Sequence, residues 1–151
     1  LNRAGFAAWR AAHPEAERDC ALLVMDLDGF KPINDRHGHA AGDAVLAAIG
    51  TWLEQHLRLG DCAVRTGGDE FVVCLRGPVA QAEVAANGVA ARFQAALSGG
   101  LPTAMGVMTL GCSIGVAILP RDAADIDAGI AHADAALYRI KHARGTVRRI
   151  A

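Results

Sequence analysis

Two short apolar runs, Cys62-Ala63-Val64 and Phe71-Val72-Val73-Cys74-Leu75, flank the turn Arg65-Thr66-Gly67-Gly68-Asp69-Glu70. Two strand-like runs joined through a Gly-Gly pair predict a β-hairpin, with the glycines supplying the positive φ that such turns need. A hairpin commits its neighbours to an antiparallel sheet, so this stretch constrains the fold more than any other. Its tip is chemically unusual. Asp69 and Glu70 are adjacent carboxylates that repel each other and gain nothing from packing. Bare glycine backbone beside paired acids suits a phosphate with its metal, because glycine lets a ligand approach the main chain. For the tetrapeptide alone, a solvated acidic turn is the plain alternative.

Along the chain, 2–13 carry Phe6 and Trp9 at helical spacing and stop before Pro14, which predicts a short helix, although the chain opens with no cap or lead-in. Ala21-Leu22-Leu23-Val24-Met25 is a continuous apolar run, the pattern of a strand buried on both faces, and it ends in Asp26-Leu27-Asp28-Gly29. A polar loop is expected over 31–39. An amphipathic helix follows, with Val45, Leu46, Ile49, Trp52, Leu53 and Leu57 on one side, ended by Gly60-Asp61. Pro78 is placed as the first residue of the next helix, whose stripe is Ala82, Val89, Phe93 and Leu97 and whose stop is Ser98-Gly99-Gly100. One strand is expected over 107–119. There Leu110, Cys112, Ile114, Val116 and Ile118 share a face, and Thr109, Gly111, Ser113, Gly115 and Ala117 line the other. A whole face of small residues requires something packed very close. A last helix over about 124–142, with Ile126, Ile130, Leu137 and Ile140 inward, and an edge strand over 147–150 complete the order β-α-β-β-α-β-α-β. That order argues for an α+β fold of ferredoxin-like type, a central antiparallel sheet flanked by helices.

The 151 residues suit one domain with a real core, and the 52% apolar content, rich in alanine, suits closely packed helices. A formal net charge of −1 offers no electrostatic footprint for a nucleic-acid polymer or an anionic membrane. The longest apolar stretch, 106–119, is too short and too interrupted to span a bilayer, and no secretory signal is visible. Cys20, Cys62, Cys74 and Cys112 lack metal-ligand spacing and sit in or beside predicted strands, which reads as buried thiols in a reducing, cytoplasmic setting.

Asp26 closes a buried strand, and Asp69 tips a hairpin that would lie beside it in an antiparallel sheet. Two carboxylates brought together from distant sequence are costly unless a cation sits between them. Hard oxygen ligands and a phosphate substrate favour magnesium, with manganese able to stand in. Taken singly, Asp26 is equally a strand-end turn residue.

Four stretches together carry a family resemblance: Asp26-Leu27-Asp28-Gly29-Phe30-Lys31-Pro32-Ile33-Asn34-Asp35, Gly38-His39-Ala40-Ala41-Gly42-Asp43, Arg65-Thr66-Gly67-Gly68-Asp69-Glu70-Phe71, and Ala133-Asp134-Ala135-Ala136-Leu137-Tyr138-Arg139-Ile140-Lys141. In order and spacing over nearly the whole chain they resemble the GGDEF-domain diguanylate cyclases. The resemblance implies a fold like the nucleotide cyclases and polymerase palms, and condensation of two GTP into cyclic di-GMP with release of pyrophosphate. It implies metal binding by Asp26, Asp69 and the Leu27 carbonyl, with Glu70 assisting the metal or the 3′-hydroxyl proton. Asn34 and Asp43 match the guanine readers, since an Asp can accept from N1–H and the 2-amino group, donors that adenine lacks. In isolation Asp43 reads as a helix N-cap and Asn34 as a loop residue. Lys31 and Lys141 match positions near the phosphates, and backbone N–H groups around Gly29, Phe30 and Lys31, with the Gly68 backbone, match the phosphate cradle; each lysine alone reads as a surface residue. His37 and His39 are spaced like a metal pair, but the resemblance places them beside the nucleotide loop.

Arg58 and Asp61 resemble the family's Arg-x-x-Asp inhibitory site for the product, where the plain alternative is a helix-end cation and a turn aspartate. Two departures stand out. The family's Asp-x-Leu-Thr-Gly-Leu lead-in precedes Asn-Arg, whereas only Leu1-Asn2-Arg3 stands here, so that segment is absent or lies outside this chain, and 1–151 is expected to be a single GGDEF domain lacking it. The family's Lys-x-x-Gly-Arg-Asn is here Lys141-His142-Ala143-Arg144-Gly145-Thr146, which shifts Arg144 by one position. The implied partners are GTP, cyclic di-GMP, a second copy for catalysis and an upstream sensor domain. A module that senses GTP or cyclic di-GMP with little or no catalysis is the alternative function, and a cyclase making another nucleotide product is a third.

Overall fold

The computed structural model describes residues 1–150, with side chains as far as Arg144. A four-stranded antiparallel sheet has the order β2–β3–β1–β6, from β1 (Cys20–Asp28), β2 (Cys62–Arg65), β3 (Glu70–Arg76) and β6 (Gly111–Ile118). Helices α3 (His39–His56) and α4 (Val79–Gly100) cover one face; α1 (Arg3–Ala12) and α5 (Ile126–Ile150) cover the other. This is the ferredoxin-like α+β sandwich the element order predicts.

Alternation along β1 organises both cores. Ala21, Leu23, Met25 and Leu27 pack under α3 and α4 with Val45, Ile49, Leu53, Val89, Phe93 and Leu97. Cys20, Leu22 and Val24 pack on the other face with Trp9, Cys62, Cys74, Ala133 and Leu137. The small-residue face of β6 is explained by α5. A Cβ on Gly115 would run into the Ala133 carbonyl and come within 2.7 Å of the Leu137 amide nitrogen.

Several local expectations change. Residues 31–39 are not a loop: α2 (Phe30–His37) forms there, because Gly29 turns the chain at φ 86° and Phe30 and Ile33 bury one helical turn apart. Pro32 is tolerated in that first turn, where its missing N–H costs nothing. Pro78 caps α4 rather than opening it. The expected strand over 107–119 is two, because β5 (Gly106–Met108) folds back on β4 (Leu101–Thr103) as a small hairpin before β6 begins. Asn2 supplies the N-cap that the chain start was expected to lack, its Oδ1 accepting from the Gly5 amide at 2.8 Å. α5 occupies the stretch where an edge strand over 147–150 was expected, and the side chains of that stretch lie outside the described residues. All four cysteines are buried free thiols.

Candidate functional site

The hairpin tip docks on the end of β1. Asp26 faces Glu70 in the β1–β3 ladder, and the Leu27 amide donates to the Asp69 carbonyl at 3.1 Å. The tip glycines differ from expectation: neither adopts positive φ. Gly67 is small for a steric reason, since a Cβ there would lie 2.8 Å from Glu70 Oε2, whereas Gly68 leaves open space over bare backbone. Arg65 braces the turn, with Nε donating to the Gly67 carbonyl at 3.0 Å and Nη2 to the Gly68 carbonyl at 2.9 Å.

The even-numbered face of β1 runs from Leu22 and Val24 into Asp26 and Asp28, beneath the C-terminal part of α5. Lys141 forms an ion pair with Asp26 Oδ1. One turn on, Arg144 Nη1 donates to Asp28 Oδ2 at 3.0 Å. Ser113, opposite Asp26 on β6, donates to the Asp28 carboxylate at 2.9 Å and accepts from Arg144 Nη1 at 3.1 Å. Sequence reasoning gave Asp28 and Ser113 no role; the signal available was Asp28's position two residues beyond Asp26, on the same strand face.

Asn34 packs beside Gly42, the residue before Asp43. Asn34 sits on α2 rather than in a loop, and its amide packs against Gly42, where a Cβ would lie 2.9 Å from Asn34 Cγ. Asp43 is exposed in the interior of α3, whose N-cap is Gly38, so the N-cap alternative for it does not hold. It lines a cavity of about 810 Å³ with Leu1, Leu46, Arg65 and Phe71. The Phe30 side chain is buried in the core, so only its backbone is available to a ligand. No side chain caps the first turn of α2, which leaves its N–H groups available to an anion. Lys31 is directed elsewhere: it pairs with Asp35 at 2.8 Å, and that hydrogen bond holds its ammonium above the ordinary range. His37 and His39 are exposed.

Among the described residues no group of three His, Cys, Asp or Glu side chains is placed to hold a metal. Asp26 and Asp69 carry hard carboxylate oxygens of the kind that magnesium takes together with phosphates and water, and the Asp26 carboxylate is here paired with Lys141. The donor chemistry fits the ion.

Arg58 and Asp61 share one surface at the other end of β2. Asp61 is nearly buried, accepting from the Arg76 amide at 3.0 Å and the Arg58 amide at 3.2 Å. Arg58 is 62% exposed and donates to the Arg76 carbonyl at 3.1 Å. Arg58 is therefore the member able to turn to a ligand.

A family profile described as "Diguanylate cyclase, GGDEF domain" matches residues 4–146. The diguanylate cyclase TpbB of Pseudomonas aeruginosa is 42% identical over 141 residues, covering 89% of this chain and 31% of that protein. A sensory box/GGDEF family protein from Caulobacter crescentus superposes with a TM-score of 0.77 at 34% identity, over 95% of this chain and 94% of that one. The GGDEF domain of DgcB from Caulobacter crescentus, solved in complex with c-di-GMP, gives 0.76 at 28% identity over 95% and 84%. The chain spans 16% to 35% of the length of the curated relatives first matched. No helix among the described residues is long and apolar enough to cross a membrane.

Proposed function

The chain belongs to the GGDEF domain family, and from that premise we propose that it is a diguanylate cyclase, condensing two GTP into cyclic di-GMP and pyrophosphate. The observation that carries the reading is the Leu27–Asp69 backbone bond, which draws Asp26, Asp69 and Glu70 to one sheet end, where Lys141 of α5 pairs with Asp26. In this reading the 3′-hydroxyl of each GTP attacks the α-phosphorus of the other; the new P–O bond replaces the bond to pyrophosphate. Glu70 in this reading takes the hydroxyl proton. Asn34 and Asp43 select guanine, while the N–H groups at Phe30 and Lys31, the Gly68 backbone and Lys141 hold the phosphates. Asp26, Asp69 and the Leu27 carbonyl would hold magnesium or manganese, and that ion, when bound, stabilises the attacking and leaving oxygens. Lys31 contributes its backbone here, its side chain being paired with Asp35.

Each copy offers one guanine site, so catalysis needs two copies head to tail, and specific activity should rise with protein concentration. The longer relatives support an upstream regulatory domain, and the buried thiols suit a reducing cytoplasm. Incubating purified protein with GTP and magnesium and identifying the product tests the reading. Guanine-nucleotide binding with no cyclic di-GMP formed would support the sensor module instead.

Product inhibition is part of the proposal, carried by the exposed Arg58 guanidinium beside Asp61 and supported by the c-di-GMP complex of the DgcB domain. Calorimetry with cyclic di-GMP on wild type and Arg58→Ala separates the outcomes. Equal affinity would reduce Arg58 to a residue that follows a helix end.

A further inference from the structure

Ser113 is the one polar residue buried as a whole among the described residues, 1% exposed in an otherwise apolar strand. A buried hydroxyl is costly unless its hydrogen bonds are made. This one is engaged in both directions, donating to Asp28 at 2.9 Å and accepting from Arg144 Nη1 at 3.1 Å. Arg144 Nη1 bonds Asp28 Oδ2 as well, at 3.0 Å. The three side chains close a ring tying α5 to β1 and β6, one helical turn beyond the Lys141–Asp26 pair.

The ring uses only one nitrogen of the guanidinium. Nε and Nη2 meet no acceptor among the described residues, and the side chain is 59% exposed. A planar guanidinium with one edge pinned and the other open is pre-organised to take two oxygens of a phosphate in parallel. Two residues of strand advance about 6.6 Å and three residues of helix about 4.5 Å, a difference that the long lysine and arginine side chains span, so Lys141 and Arg144 reach Asp26 and Asp28. Arg144 thus reaches the site although it stands one place from where the family resemblance puts its arginine.

We propose that Asp28 and Ser113 are positioning residues that orient Arg144 as a second phosphate-binding cation beside Lys141. The role rests on the cyclase reading above and explains how the interchanged Arg144-Gly145 pair is accommodated. Ser113 and Asp28 touch no substrate in this account; they act through Arg144.

The test is calorimetry, with magnesium, of a non-hydrolysable GTP analogue and of guanosine on wild type, Ser113→Ala, Arg144→Ala and the double variant. Asp28→Asn serves as a second probe should Ser113→Ala fail to fold. Losing one charge-assisted fork is worth roughly tenfold in affinity. Arg144→Ala should weaken the analogue about that much, Ser113→Ala somewhat less, and the double variant no more than Arg144→Ala alone. Guanosine affinity should stay constant throughout. Independent, multiplying effects of the two substitutions would overturn the positioning role. So would an unchanged analogue affinity in Arg144→Ala, or equal losses for the analogue and guanosine in Ser113→Ala. Failure of the wild type to bind either guanine ligand would instead overturn the cyclase reading itself, and the positioning role with it.

Discussion

Along β1, the residues under α3 and α4 are Ala21, Leu23, Met25 and Leu27, all buried, whereas those under α5 run Leu22, Val24, Asp26, Asp28. The first series is core from end to end. The second leaves the core halfway and becomes a row of acids, matched by Lys141 and Arg144 from the helix above. One strand thus serves stability with one face and presents charge with the other, simply through its period of two. The comparison predicts that the apolar positions under α4 can be damaged without touching chemistry, while the acids under α5 cannot.

The sharpest way to break this is at the charged end. Asp69→Ala removes a half-buried tip carboxylate that belongs to neither apolar cluster, so its thermal midpoint should stay close to that of wild type. Cyclic di-GMP formation should fall by several kcal/mol of transition-state stabilisation, on the order of 10³-fold or more. Product formed at near wild-type rate would remove Asp69 from the reaction. Phe93→Ala is the converse. Phe93 is 1% exposed at the centre of the α3/α4 face, and truncating it should cost about 3–5 kcal/mol in denaturant unfolding. KM and kcat measured below the transition should be unchanged. A large kcat loss in the folded variant would mean that the two faces are coupled.

Much of this division was legible in the sequence. The unbroken apolar run ending in Asp26 announced a strand buried on both faces and running into a site, and the small residues of 107–119 announced that something packs very close, which the structure shows to be α5. The tip was only partly legible. Gly-Gly suggested positive φ, yet the glycine at 67 answers to the Glu70 side chain, a contact that no local rule contains. The 31–39 segment looked like a loop because its polar residues outnumber Phe30 and Ile33, and two apolar anchors one turn apart suffice once a core exists to receive them. Asp28, Ser113 and Arg144 are 85 and 31 residues apart in succession. Their ring depends on the placement of α5, which spacing alone does not fix.

Gly115→Val sharpens the comparison from between the two halves of the α5 face. The added side chain meets helix backbone at Ala133, which cannot swing aside as a side chain would. Overpacking of this kind costs about 1–3 kcal/mol. Because the same displacement lifts Lys141 and Arg144 from Asp26 and Asp28, GTP KM should rise with the loss of stability, unlike in Phe93→Ala. Unchanged KM would show that the C-terminal part of α5 holds its place independently of Gly115.

The smallest effect concerns the outer cover of the α5 face, where the short helix α1 does the work that the long α4 does opposite. Trp9 packs into the cluster that holds Cys62, and its Nε1 donates to the Gly60 carbonyl at 2.9 Å. α1 begins at the Asn2 cap, so Asn2→Ala should weaken it by about 1 kcal/mol, roughly fivefold in the population of an undocked helix. Thiol labelling reads this directly. Cys62 lies under α1, and the hydrogen bond with the Cys74 thiol that faces it across the ladder holds it below the ordinary thiol range, while that bond and then burial push Cys74 up. Cys112 sits in the α3/α4 core, and burial pushes its thiol up to about 12, so it reacts only when that core opens. In Asn2→Ala, native-state labelling of Cys62 should speed up about fivefold while Cys112 keeps its wild-type rate. Equal acceleration at both cysteines would mean that α1 does not open by itself, and that the two faces come apart only together.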